Sequence, residues 1–130
     1  MATWDQVREI ALGLPETHEV DRGTAAWSVR DKAFAWVRPL RASDVRALGN
    51  RAPKGNILAA RVPHLVAKEA RLAAQPEVYF TTPHFDGYPA VLVRLGKIKV
   101  GDLEELLVEA WLARAPKRLA REYLTTRGVS

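Results

Sequence analysis

The 130-residue chain has the length of one folded unit, and we expect a single domain over residues 1–130. Its 48% hydrophobic and 27% charged residues are typical of a soluble globular protein. The sequence has no cysteine, which excludes disulfides and thiolate chemistry, and it has neither a signal-peptide pattern nor a long apolar run, so we expect a cytoplasmic protein without a membrane contact.

The net charge of +5 is concentrated in the middle of the chain. Residues 1–22 carry two basic and five acidic side chains, whereas residues 23–60 carry seven basic and two acidic ones. A local excess of positive charge speeds the encounter with polyanions, but it does not by itself give sequence recognition.

The first part of the chain predicts a helix followed by a β-hairpin. Thr3 and Gln6 have the spacing of a capping box, and the helix that they begin is predicted to end near Leu14. Apolar and polar residues then alternate over residues 25–38, which predicts two strands joined by a tight turn at residues 30–32. Between the helix and the hairpin we expect a polar connector that contains three acidic residues: Glu16, Glu19 and Asp21.

The rest of the chain predicts further strands and helices. Short apolar runs predict strands over residues 57–62, 78–81 and 90–95. Helical spacing predicts helices over residues 43–48, 63–74, 101–113 and 117–124, the first capped by Ser43 and the third by Asp102.

The helix predicted over residues 63–74 carries a carboxylate on its apolar half. At 100° per residue, Glu69 falls among the apolar residues, and the opposite half holds His64, Lys68 and Arg71. Because an unpaired buried charge is costly, we expect Glu69 to form an ion pair with an arginine or, alternatively, to reach the edge of a functional site.

Several motifs, taken in order, resemble the MmcQ/YjbR-like family. They are Leu14-Pro15, Gly23 followed by Trp27-Ser28-Val29, the segment 83–95, and Trp111 followed by residues 114–119. The resemblance covers nearly the whole chain. It implies an α+β domain of two layers, in which a curved antiparallel β-sheet is packed by helices, of the double-wing type proposed to bind DNA.

Two departures from that family pattern bear on function. Ala25-Ala26 stands where many relatives have a proline before the aromatic residue of the strand. Phe85-Asp86-Gly87-Tyr88 stands where another branch has a basic segment, which removes positive charge from a loop that could contact phosphate.

A nucleic-acid-binding surface is the first functional hypothesis. Arginine contacts phosphate through two hydrogen bonds at once, and a hairpin turn can reach a groove. The sequence has no recognition helix, zinc finger or aromatic RNA platform, so we expect contact with the phosphate backbone and no base-specific recognition. A basic surface with no partner, or an acidic protein partner, remains open. The proposed contacts are Arg30, Lys32, Arg38, Arg41 and Lys54, assisted by Lys117, Arg118 and Arg121.

A small-molecule pocket is the alternative hypothesis. His84, Asp86 and Tyr88 lie in one predicted loop, and Trp36 and Glu69 could approach it from the sheet and the helix. Aromatic walls with a few polar groups are typical of ligand sites. A histidine near a carboxylate can also act in acid–base catalysis, although Asp86-Gly87 is equally a turn signal.

Enzyme motifs are missing from the sequence. There is no P-loop, dinucleotide-binding fingerprint or nucleophile elbow, and the three histidines lack the spacing of metal ligands. We therefore expect a protein that is not an enzyme and uses no cofactor or metal.

Overall fold

The computed structural model describes residues 2–53 and 55–126. Within these residues the chain forms six β-strands and five α-helices. The strands are β1 (Thr17–Asp21), β2 (Ala25–Val29), β3 (Lys32–Val37), β4 (Ile57–Arg61), β5 (Tyr79–Phe80) and β6 (Ala90–Arg94). The helices are α1 (Trp4–Leu12), α2 (Ala42–Leu48), α3 (Leu65–Ala74), α4 (Val100–Arg114) and α5 (Lys117–Thr126).

The strands form one antiparallel sheet in the order β1-β2-β3-β4-β6-β5. β2 and β3 form the predicted hairpin, and Arg30 in its turn has a positive φ of 54°. β4 pairs with β6 from Ile57 opposite Arg94 to Arg61 opposite Ala90, so the centre of the sheet joins the two halves of the chain. The structure confirms the predicted α+β class with an antiparallel sheet packed by helices.

The central strands are buried on both faces of the sheet. In β4, Leu58 and Ala60 belong to the main core, and Ile57 and Ala59 belong to a second, smaller core. Because successive side chains of a strand point to opposite faces, a continuous apolar run such as this one needs cover on both sides. α1 and α4 supply residues of the main core, and the segment 83–88 covers the smaller core through Phe85.

The first two helices begin at capping residues. The predicted capping box of α1 is confirmed, since the Thr3 and Gln6 side chains each accept a backbone N–H from the other residue. α2 begins one residue earlier than predicted, with Arg41 instead of Ser43 in the cap position, and the Asp44 carboxylate in its first turn accepts the Arg41 N–H at 2.9 Å.

α4 also differs from its prediction. It begins at Val100 with Lys99 in the cap position, and Asp102 does not cap it.

The acidic connector predicted after α1 is instead the edge strand β1. It pairs with β2 over its whole length, from Thr17 opposite Val29 to Asp21 opposite Ala25. The Glu19 carboxylate accepts hydrogen bonds from Trp27 Nε1 at 2.9 Å and from Arg8 Nε at 2.8 Å. A strand with one polar face has no long apolar run, so the pattern of residues 16–21 did not indicate it.

α3 is oriented with its predicted polar half toward the protein. Lys68 is only 4% exposed, whereas Val66 is 73% exposed and Glu69 lies in solvent. The expected ion pair of Glu69 with an arginine is not found among the described residues, because this side chain lies in solvent, although Leu72 of the same apolar half packs against the main core. The helix also begins two residues later than predicted, with the His64 Nδ1 accepting the N–H of Ala67 at 3.1 Å.

Candidate ligand-binding cavity

A cavity of about 540 Å³ opens on the face of the sheet that carries the smaller core. This volume lies in the range of about 300–1,000 Å³ that is typical of small-molecule sites. Its walls come from the end of β3 with the segment that follows, and from the loop before β6. The lining residues are Thr24, Trp36, Val37, Arg38, Pro39, Leu40, Arg41, His84, Phe85 and Tyr88.

The room beside Trp36 comes from small neighbours in the sheet. Trp36 lies opposite Ala26 of β2 and opposite Ala59 of β4. Residues that lie directly opposite one another on antiparallel strands have adjacent side chains, so the two alanines leave space beside the indole, which lines the cavity. The sheet register thus provides both an aromatic wall and the space next to it.

The loop before β6 supplies three aromatic rings. The His84 and Phe85 ring centroids are 5.3 Å apart, and those of Phe85 and Tyr88 are 6.1 Å apart, both in edge-on arrangements. Arg61 fixes the outermost ring, because its Nη1 donates to the Tyr88 hydroxyl at 2.7 Å and its guanidinium lies 5.0 Å from the ring centroid. The aromatic wall is therefore held in place before any ligand binds.

Lys68 anchors this loop from α3. Its Nζ donates to the carbonyl oxygens of Phe85 and, at 3.0 Å, of Tyr88. Burial lowers the pKa of the Lys68 ammonium, and the Asp86 charge partly opposes that shift. The sequence pattern had placed Lys68 in solvent. The only sequence signal for this contact was the irregular loop between two prolines, because the backbone carbonyl groups of such a loop need hydrogen-bond donors from elsewhere.

Arg38 is a buried cation in the wall of the cavity. Only 7% of the residue is exposed, and its guanidinium lies 5.3 Å from the Phe85 ring centroid. Its Nη2 is 3.1 Å from Asp44 Oδ2, so the two side chains form a buried ion pair. Its Nη1 donates to the Pro39 carbonyl oxygen, and the Nη2 atom is out of reach of solvent.

Asp44 compensates the charge of Arg38 from behind the wall. It is 2% exposed. Burial alone would raise the pKa of this carboxyl, but the N–H of Arg41 and the Arg38 guanidinium outweigh burial and hold that pKa below its ordinary value. The Arg41 side chain itself is exposed and lines the cavity.

The structure brings together part of the predicted pocket. Trp36, His84 and Tyr88 line the cavity as a group. Glu69 does not reach it, because α3 turns that side chain outward. Asp86 is exposed and takes no part in the lining; it accepts a long hydrogen bond of 3.5 Å from the Thr81 hydroxyl. The sequence missed Arg38 and Arg41 as members of this site, having assigned them to the nucleic-acid surface.

The predicted phosphate contacts divide into two groups at opposite ends of β3. Arg30 and Lys32 lie at the hairpin turn, whereas Arg38 and Arg41 follow the other end of the strand. Six residues of extended chain separate the ends by roughly 20 Å. The burial of Arg38 also removes it from any flat interface with a duplex, and Lys54 lies outside the described residues.

The last helix lies beside the hairpin turn. Arg30, Glu16, Arg118 and Glu122 line one hollow, in which Arg30 Nε is 2.8 Å from Glu16 and Arg118 Nε is 3.6 Å from Glu122. With Arg38 and its partner Asp44, three of the predicted phosphate contacts therefore already have acidic partners. Four others have no acidic side-chain partner among the described residues: Lys32, Arg41, Lys117 and Arg121.

Neither a metal site nor a membrane-spanning helix is found in the described part of the chain. No group of three histidine or acidic residues there is arranged to hold a metal ion. Over the same residues, every helix is too short or too polar to cross a bilayer.

The fold and the cavity together define an α+β protein with a six-stranded antiparallel sheet over the described residues and an arginine-containing aromatic cavity on one face. The chain belongs to the YjbR family, whose sequence pattern matches residues 12–113. This confirms the resemblance seen in the sequence.

Relatives and a solved structure agree with this membership. The chain is 53% identical over 131 aligned residues to uncharacterized proteins of Mycobacterium bovis and Mycobacterium tuberculosis, covering 98% of this chain and 100% of each relative. It is also similar to the crystal structure of a Deinococcus radiodurans protein with a DUF419 domain, with a TM-score of 0.66 and 20% identity, over 100% of this chain and 91% of the other. That likeness concerns the fold.

Proposed function

We propose that the protein is a non-enzymatic binding protein that takes a small anionic molecule into the cavity beside Trp36 and Tyr88. The observation that supports this most strongly is the pair of arginines in the cavity wall, the buried Arg38 and the exposed Arg41, beside the aromatic residues of the lining.

The exposed cation of the lining favours an anion at this position. Hydrogen bonds between a guanidinium and an anion are roughly twice as strong as neutral ones. The Arg41 guanidinium is exposed in the lining and has no acidic side-chain partner among the described residues, so it is available to make them.

Binding is favoured over catalysis by the composition of the lining. No carboxylate is among the lining residues, and His84 has no hydrogen-bonded partner among the described residues to orient its imidazole. General acid–base catalysis needs a titratable group held in position by a neighbour. Arginines and aromatic rings, by contrast, are suited to hold a ligand without reacting with it.

Thermal unfolding tests the proposal. A panel of carboxylates, phosphate esters and nucleotides is added at fixed ionic strength, with sodium chloride as the reference. At a ligand concentration of 100 times Kd, binding stabilises the folded state by about 2.7 kcal/mol, which corresponds to about 10 °C in Tm.

A matched pair of variants locates the effect. Arg41→Gln removes an exposed cation of the cavity, and Arg46→Gln removes an exposed cation of the same helix that is outside the lining. We expect Arg41→Gln to reduce the Tm shift and Arg46→Gln to leave it unchanged. If no member of the panel raises Tm above the salt reference, the proposal is wrong.

Contact with a DNA backbone is a second candidate, supported by the hollow that brings Arg30 of the hairpin turn beside Arg118 of α5. Lys32 and Lys117 are exposed and lie next to these residues in the chain. Binding to labelled duplex across a salt series should weaken steeply as salt rises. The double variant Lys32→Glu/Lys117→Glu should lower the salt slope, whereas Lys97→Glu/Lys99→Glu, which changes the charge equally elsewhere, should not. Absence of duplex binding at low salt would rule this candidate out.

A further inference from the structure

The side chains that line the cavity offer several hydrogen-bond donors that the protein itself does not use. Arg41 has no acidic side-chain partner among the described residues, and within the same part of the chain the Trp36 indole N–H and the His84 imidazole make no hydrogen bond. The Tyr88 oxygen accepts from Arg61 Nη1 at 2.7 Å, so the hydroxyl hydrogen remains available to donate. Since the lining includes no carboxylate, these donors favour a ligand that is rich in acceptors.

The wall of the cavity carries a surplus of two positive charges. The charges counted are those of the lining, of the side chains bonded to it and of Asp86 in the same loop, with His84 neutral. The cations are Arg38, Arg41, Arg61 and Lys68, and the carboxylates are Asp44 and Asp86. Asp21 and Arg22, which precede Thr24 of the lining in the chain, add one charge of each sign. Because opposite charges attract, the surplus favours a ligand with two negative charges over a ligand with one.

Three of the four cations are already engaged with other groups of the protein. Lys68 and Arg61 bind the loop before β6, and Arg38 forms the buried pair with Asp44. They act on a ligand through their electric field, which is screened less near a protein interior than in water. Arg41 is therefore the cation that is available for direct contact with an anion.

A phosphate monoester matches both the charge and the donors. It carries a charge of about −1.5 to −2 at pH 7 and three strong acceptor oxygens. These oxygens point in different directions, which suits single donors on separate segments: Arg41 follows β3, whereas His84 and Tyr88 lie in the loop before β6. A carboxylate has two coplanar oxygens and is best received by one forked guanidinium, which Arg38 does not offer because its Nη1 donates to the Pro39 carbonyl oxygen and its Nη2 faces Asp44.

We infer that the cavity binds a phosphate monoester in its dianionic form, with Arg41 as the direct cationic contact and with Tyr88 and His84 as further donors. This inference rests on the proposed binding function and adds the ligand class. It requires that a monoester binds more tightly than a monoanion of the same shape.

Isothermal titration calorimetry with four matched probes tests the ligand class, at fixed ionic strength and at pH 8, where a monoester is dianionic. The probes are phenyl phosphate, phenyl sulfate, methyl phenyl phosphate and phenylmalonate. The sulfate and the methyl diester are monoanions with the same tetrahedral centre, and phenylmalonate is a dianion made of two carboxylates. We expect phenyl phosphate to bind about tenfold more tightly than either monoanion and several-fold more tightly than phenylmalonate.

Three substitutions connect these preferences to the named residues. Arg41→Gln should weaken phenyl phosphate about tenfold, with Arg46→Gln as the matched control that leaves it unchanged. Tyr88→Phe keeps the ring but removes the hydroxyl donor, so it should weaken phenyl phosphate several-fold. Arg61→Gln removes one charge of the surplus outside the lining, so it should narrow the preference for phenyl phosphate over phenyl sulfate. If Arg61→Gln does not fold, the probes in the wild type and in Arg41→Gln decide the question.

Failure of the inference and failure of the proposed function give different results. If phenyl sulfate, the diester or phenylmalonate binds as tightly as phenyl phosphate, or if Arg41→Gln binds phenyl phosphate as the wild type does, the inference is wrong and the binding function stands. If phenyl phosphate does not bind but another anion of the wider panel does, the inference again fails alone. If no anion of either set binds, both are wrong.

Discussion

Replacing Lys68 with methionine tests whether one buried ammonium holds the loop of the cavity. Methionine fills nearly the same volume as the lysine stem but donates no hydrogen bond, so the Phe85 and Tyr88 carbonyl oxygens lose their shared donor. Their environment differs, since the bond to Phe85 is buried and the bond to Tyr88 is partly buried.

The size of the effect follows from these two carbonyls. A buried acceptor left unsatisfied costs about 1–3 kcal/mol, and the partly buried one costs less because water can reach it. Part of this loss is offset because methionine carries no charge. Burial lowers the pKa of Lys68, which shows that burying the charged ammonium costs free energy in the wild type. We therefore expect Lys68→Met to lower the free energy of unfolding by about 2 kcal/mol.

Urea denaturation measures this difference, with the m-value as a check that unfolding remains two-state. Glu69→Gln is the matched control, because it changes the adjacent, exposed residue of α3 and should stay within about 0.5 kcal/mol of the wild type. A loss below about 0.5 kcal/mol for Lys68→Met would refute the reasoning, because it would show that the two carbonyls do not depend on this donor.

Three further substitutions test other elements by urea denaturation. Glu19→Gln should lower stability at pH 7 and less at pH 3. The hydrogen bond from Arg8 holds the pKa of Glu19 below its ordinary value, so the stabilisation is present above the unfolded-state pKa and is lost as the pH falls through the folded-state pKa. An equal loss at both pH values would contradict this. His64→Ala should cost about 1 kcal/mol by removing the cap of α3, whereas His64→Asn should retain most of the stability. Val66→Ser should change stability by less than about 0.5 kcal/mol, and a larger loss would show that this face of α3 is covered in solution.

The sequence predicted elements whose pattern is local and missed those decided by distant partners. The hairpin was predictable because Trp27 and Trp36 stand in alternating runs on either side of a short turn. β1 was missed because Glu19 is stabilised by Arg8 and Trp27, which are eleven and eight residues away in the chain. Periodicity divides a helix into halves, but it does not say which half meets the protein.

α3 illustrates this limit. Leu72 of its apolar half packs against the main core, but Val66 is exposed, and the other half makes the polar contacts. Arg71 donates to Glu109 of α4 at 3.2 Å and to the Tyr79 hydroxyl at 3.0 Å, and Lys68 binds the loop before β6. No spacing within α3 indicates that these partners are present, so the orientation required the tertiary structure.

The candidate site was also predictable only in part. His84 and Tyr88 were expected together because one loop carries both, and Trp36 was expected to approach them from the sheet. Arg38 and Arg41 were assigned elsewhere because a run of basic residues in a sequence looks like an exposed surface. Their inclusion in the cavity depends on the chain turning back toward the loop after β3, which the residue types do not indicate.

Part of the positive charge of the sequence is used in contacts with aromatic rings of the fold. Four arginines in the described part of the chain have their guanidinium groups 4.5–5.4 Å from the centroid of an aromatic ring: Arg38 on Phe85, Arg61 on Tyr88, Arg71 on Tyr79 and Arg94 on Phe80. Burial lowers the pKa of Arg94, which shows that this group is partly removed from water. Such contacts are stronger when water is excluded, and salt screens them less than exposed charge pairs. The stability of the fold should accordingly depend little on ionic strength, whereas any phosphate contact made through Lys32 and Lys117 should weaken steeply as salt rises. One salt series therefore separates the arginines that pack on aromatic rings from the lysines available to a phosphate backbone.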